Sequence, residues 1–125
     1  MQIAASQNAN DIHKARGEVL SYLLKLDKSI KQQHWDLVGP LTHRLNETLI
    51  NYIACGHEEF DTSTDADHRF VALHLSTDKA VRFTNRFQCA PPVEWQRLKA
   101  HLESLALDLE ARFEIEDDLL AQQIH

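Results

Sequence analysis

Arg112 and Glu116 stand four residues apart in "LDLEARFEIEDDLL", residues 107–120, where an apolar helix stripe should run. Leu98, Leu102, Leu105 and Leu109 lead up to them and Leu119 follows. A cation and an anion on that line admit two chemistries. The stripe can drift toward Phe113, Leu120 and Ile124. The pair then lies at its edge as an i,i+4 ion pair worth a few tenths of a kcal/mol. Alternatively the seam opens into a polar cleft. Each charge must then be paired, because an unpaired charge in a dry site is very costly. Tyr52, His57 and Asn51 of an earlier helix are the candidate partners there.

Eight histidines call for a metal test. Carboxylate-bridged di-iron bundles use Glu-x-x-His pairs on facing helices, and the chain has none. It has one Asp-x-x-His, Asp65 to His68. His43 and Glu47 have helical i,i+4 spacing, His57 and Asp61 resemble it, and His-x-x-x-His is absent. Two loose pairs fall short of the four inward ligands such a centre needs, so no metal or other cofactor is expected. Three scattered glycines leave no phosphate-binding loop. There is no GxSxG, HExxH or local Cys–His signature. The expectation is a protein that is not an enzyme.

The elements that position these residues read as helices. Three glycines and three prolines are few, and long segments lack both. A first helix is expected over 10–38, capped by Asn10 or Asp11, with Ile12, Ala15, Val19, Leu23, Leu26, Ile30 and Leu37 at helical spacing. "VGP", 38–40, reads as its stop. A second helix spans 42–55, capped by Thr42 and ended by Gly56, with Leu45, Leu49, Ile50 and Ile53 facing inward. A polar connection, 57–67, leads to a third helix over 66–88 with Phe70, Leu73, Val81 and Phe87 on its face. "STD", 76–78, can interrupt it, with Thr77 as a cap. "CAPP", 89–92, breaks the chain, and a last helix runs from about Pro92 to 122. The fold class is therefore all-α: a four-helix bundle with antiparallel neighbours and a long C-terminal helix. One domain over 1–125 is expected, with 1–9 as a flexible arm.

The formal net charge of −6 argues against nucleic-acid binding, which needs a basic face, and suits a basic protein partner. Two cysteines without CxxC spacing fit free thiols in a reducing compartment. No segment reads as a leader or a membrane span. A cytoplasmic monomer without membrane contact is expected.

Three stretches together resemble one family: "HWDLVG" at 34–39, "LINYIACGHEEF" at 49–60 and "LEARFEIEDDLL" at 109–120. Their order and helical placement are similar to the Rsd/AlgQ family of anti-sigma regulators, with "LSTDKAVRFTNRF", 75–87, as a weaker fourth match. The resemblance implies an all-helical bundle that binds the primary sigma factor of bacterial RNA polymerase. Such proteins hold the domain that reads the −35 promoter element and keep sigma from core polymerase and promoter DNA. No catalysis and no obligatory cofactor come with the likeness. The chain departs from the family in its clipped connection after "LVG", in Asn51 where an acid often precedes the tyrosine, and in Glu58 where an aromatic often follows Gly-His.

The partner-binding residues expected from these motifs are Trp35, Leu45, Glu47, Thr48, Asn51, Tyr52, His57, Arg112, Glu116 and Asp117. Trp35, Leu45 and Phe60 supply apolar anchors. Glu47, Glu58, Glu59, Asp61, Glu116, Asp117 and Asp118 complement a basic helix-turn-helix surface. Two other classes stay open: a helical adapter acting on a stringent-response or metabolic enzyme, and a hemerythrin-like metal bundle.

Overall fold

In a computed structural model the backbone is described for residues 2–60, 68–88 and 95–123, and the side chains for 11–56, 69–88 and 95–121. These residues form four α-helices and no strand: α1 (Gln2–Lys31), α2 (Trp35–Phe60), α3 (His68–Phe87) and α4 (Trp95–Gln123). Each helix packs on the next, and α4 returns to α1, so the four close a ring with antiparallel neighbours. The all-α bundle with a long last helix is as expected.

The apolar stripes meet along the bundle axis. Ile12, Val19 and Leu26 of α1, Leu45 and Leu49 of α2, Leu73 of α3 and Leu98, Leu102 and Leu109 of α4 are almost wholly buried. Each such side chain contributes about 1.5–3 kcal/mol through removal of apolar surface from water. Three residues of the expected apolar stripes, Leu37, Ile50 and Val81, are exposed, and Tyr52, Ala80 and Phe83 take inward positions.

The boundaries moved further than the faces. α1 begins at Gln2 rather than Asn10, so it takes in most of the expected arm. It ends at Lys31, not at Val38. The His34 N–H donates to the Ser29 carbonyl at 2.8 Å and the Gln33 N–H to that of Ile30 at 3.1 Å. Gln33 has φ 59°. This is a Schellman motif with glutamine in the left-handed position usually taken by glycine. α2 then starts at Trp35 and runs straight through Gly39 and Pro40. The proline is tolerated because its missing N–H would have met the Asp36 carbonyl, and both residues are exposed to water. Thr42 is not a cap; its hydroxyl donates to the Val38 carbonyl at 2.7 Å inside α2. Gly56 does not end α2, which continues to Phe60. α3 is continuous through 76–78, and Thr77 caps nothing there. The expected break at 89–92, with Pro92, lies outside the described residues.

Candidate functional site

Arg112 and Glu116 are 3% and 0% exposed, so they are interior residues and the drifting-stripe alternative fails. One α-helical turn separates them, and Arg112 Nε donates to Glu116 Oε2 at 3.2 Å. The other carboxylate oxygen is met from two more helices. Tyr52 of α2 donates its hydroxyl to Oε1 at 2.5 Å. Arg16 of α1 donates to it from Nε at 3.2 Å and from Nη2 at 2.9 Å. Glu116 thus accepts four hydrogen bonds from three side chains, which is how a carboxylate survives without water.

The cations are satisfied in turn. Arg16 Nη1 donates to Asp117 Oδ1 at 2.8 Å and Nη2 to the Phe113 carbonyl at 3.3 Å. Arg112 Nη1 reaches α3, donating to the Leu73 carbonyl at 3.1 Å and to Thr77 Oγ1 at 2.9 Å. Arg112 Nε also donates to the Tyr52 hydroxyl at 3.2 Å. Two cations therefore face two anions, and all four helices hold part of the layer. Aromatic rings wall it: the Arg16 guanidinium lies 4.8 Å from the Phe113 centroid, and Tyr52 meets Phe113 edge-on at 5.6 Å.

Gly56 explains how the Arg112 guanidinium fits. A Cβ at this position would lie 2.8 Å from Arg112 Nη2 and 3.5 Å from Glu116 Oε2. The absent side chain lets the charged group lie against the backbone of α2. The same kind of test at Gly39 meets nothing within 4 Å.

The layer shifts proton affinities in consistent directions. Burial raises the Tyr52 hydroxyl far above its ordinary range, and the negative charge of Glu116 raises it further. Burial of Arg16 works to lower its affinity. The hydrogen bonds to Asp117 and Glu116 more than offset this, so the guanidinium holds its proton more tightly than usual.

Of the expected site residues, the structure brings together Tyr52, Arg112, Glu116 and Asp117. Asn51 is exposed and is not part of the layer. The side chain of His57 lies outside the described residues, as do those of Glu58, Glu59, Phe60 and Asp61. Leu45 is fully buried in the core and is no surface anchor. Glu47 is exposed and pairs with His43 at 2.7 Å and Arg44 at 3.4 Å. The Thr48 hydroxyl donates to the Leu45 carbonyl at 2.9 Å. Trp35 sits at the opposite end of the bundle, stacked on Trp95 at 6.1 Å between centroids.

Arg16 and Thr77 were missed as site residues. The signal for Arg16 was present: it lies on the stripe of Ile12, Ala15 and Val19, the same kind of fault that marks Arg112 on α4. Thr77 carried no such signal. Among the described residues, no three His, Cys, Asp or Glu side chains are placed to hold a metal ion. No helix among them is long and apolar enough to cross a membrane. Fold and site together define a four-helix bundle with a buried, charge-balanced layer near one end. Compared with protein-family models, curated proteins and solved structures, the chain matches none.

Proposed function

We propose that this protein is a non-enzymatic regulator that binds the primary sigma factor of bacterial RNA polymerase. It engages the domain that reads the −35 element and keeps sigma from core polymerase and promoter DNA. One observation carries the reading. Tyr52 and Gly56 of "LINYIACGHEEF" and Arg112 and Glu116 of "LEARFEIEDDLL" meet in one buried layer. Two stretches that resemble the Rsd/AlgQ family, about sixty residues apart, depend on one another physically.

In this reading the layer positions and does not touch the partner. Glu116 is sealed, and its oxygens are already taken by Arg16, Tyr52 and Arg112. The partner instead meets the exposed ends of the helices that the layer fixes. Asp117 is half exposed there, and Glu114 and Asp118 are exposed beside it on α4. A carboxylate rim on a protein of net charge −6 suits a basic DNA-reading surface and speeds encounter with it. No catalytic step is assigned to any residue.

The test mixes the intact protein with the isolated −35-reading domain of the primary sigma factor from the same source. The expected result is a 1:1 complex whose association slows as salt rises, more than its dissociation quickens. Absence of a complex with that domain and with full-length sigma overturns the reading and favours an adapter acting on another protein.

A further inference from the structure

A second site lies on the face between α3 and α4, starting about one helical turn beyond the buried layer. A groove of about 440 Å³ runs there, within the size range of small-molecule pockets. Lys79, Arg82 and Arg86 follow one another at i, i+3 and i+7 and form a basic ridge along its α3 wall. His101 and Ser104 stand on the α4 wall, and the buried faces of Phe83 and Leu105 make an apolar floor.

Both ends are bounded. Lys79 Nζ crosses to Asp108 at 3.4 Å. At the other end Phe87 meets His101 edge-on at 5.3 Å, and the Arg86 guanidinium lies 5.5 Å from the Phe87 centroid. Between them Arg82 is exposed and, among the described residues, pairs with no carboxylate. Seven residues of helix separate the ends, a span of about 10 Å.

We propose that this groove binds a small organic phosphate, with the phosphate groups on Arg82, Arg86 and Lys79 and an apolar body on Phe83 and Leu105. Asp108 balances Lys79, and Arg82 and Arg86 add positive charge to the lining of the groove on a protein whose net charge is −6. The forked donors of arginine match phosphate oxygens bidentately, and the Ser104 hydroxyl and His101 ring add donors across the groove. A phosphate carries about 1.5–2 negative charges, which uses convergent cations better than a single carboxylate does. The closed ends favour a short ligand over a strand. An extended nucleic acid would need a basic face continuing past Asp108.

Adenosine diphosphate is the probe, titrated into the intact protein and followed by calorimetry, with inorganic pyrophosphate, adenosine and a polyglutamate peptide in parallel. Adenosine diphosphate is expected to saturate one site and adenosine to give no binding. Arg82→Ala should weaken the complex about tenfold, the loss of one charge-assisted contact, and Arg82→Lys should lose less. Lys28→Ala, an exposed change on α1, should bind as the parent does. Arg82 is exposed, so its variants are expected to fold, and an unchanged circular dichroism spectrum checks this. The proposal is overturned if neither adenosine diphosphate nor pyrophosphate binds saturably at about 1 mM. Binding unaffected by Arg82→Ala overturns it too. So does tighter binding of the polyglutamate peptide than of either phosphate, which would make the groove a protein-docking surface.

Discussion

Where α2 and α4 begin, Trp35 stacks on Trp95, and nearby Phe83, Phe87 and Leu98 pack as ordinary core. Toward the opposite end the same four helices meet through Arg16, Tyr52, Arg112, Glu116 and Thr77. Apolar packing is non-directional, and its strength follows area. The charged layer is directional: each guanidinium reaches a particular oxygen on a particular helix. A buried ion carries a desolvation penalty of several kcal/mol, and well-packed apolar residues in its place are often as stable or more so. The polar end therefore does not add stability cheaply. Its directional contacts fix how the helices sit against one another, which is what the proposed docking rim on their ends requires.

The contrast can be broken most forcefully at Glu116. Glu116→Ala leaves Arg16 and Arg112 buried and facing each other without their shared anion. The expected cost is about 3–5 kcal/mol in urea unfolding. A loss below about 0.5 kcal/mol, the size of an ordinary surface change, would contradict the buried layer.

Two glycines sharpen the comparison in opposite directions. Gly56→Ala places a methyl 2.8 Å from Arg112 Nη2 and should destabilise by about 1–3 kcal/mol, because the guanidinium is held by α3 and cannot swing away freely. Gly17→Ala, on α1, meets nothing within 4 Å and should stabilise by about 0.5–1 kcal/mol. Thermal unfolding of both variants reads the two signs, and equal effects would remove the close-approach role of Gly56.

Tyr52→Phe removes one donor to Glu116 and should cost about 1–2 kcal/mol near neutral pH. The tyrosine also gives an alkaline signature. Its folded affinity for the proton is raised by burial and by Glu116, while the unfolded chain releases that proton near pH 10. Above that pH the folded state binds more protons than the unfolded one, so the contribution is complete below about pH 10 and declines as pH rises further. Urea midpoints from pH 8 to 11 should fall less steeply in Tyr52→Phe than in the parent.

Much of this was legible in the sequence, for reasons that differ by element. The stripe of α4 names its own buried residues and the fault in it marks Arg112 and Glu116, but the stripe alone does not decide between an edge pair and a buried one. Arg16 is legible by the same rule, as a charge on the apolar stripe of α1. The turn between α1 and α2 was hidden, since its left-handed residue is Gln33, a type without special preference for that conformation. Gly39 and Pro40 misled for the converse reason. Both usually punctuate, yet here the glycine keeps ordinary helical φ and the proline spends its missing N–H on an exposed carbonyl. Leu45 reads as an anchor from the sequence because periodicity gives a face but not whether a partner or the core covers it. Thr77 was unreadable, as its role is set by a guanidinium 35 residues away.

The claim that the polar faults of α1 and α4 form one device is tested most directly by a double-mutant cycle. Arg16→Met, Glu116→Gln and the double variant keep side-chain length while removing each charge in turn, and urea unfolding gives their stabilities. The account predicts a coupling energy of about 1.5–3 kcal/mol between two residues a hundred positions apart in the chain. A coupling below about 0.5 kcal/mol, with the single losses simply adding, would contradict it.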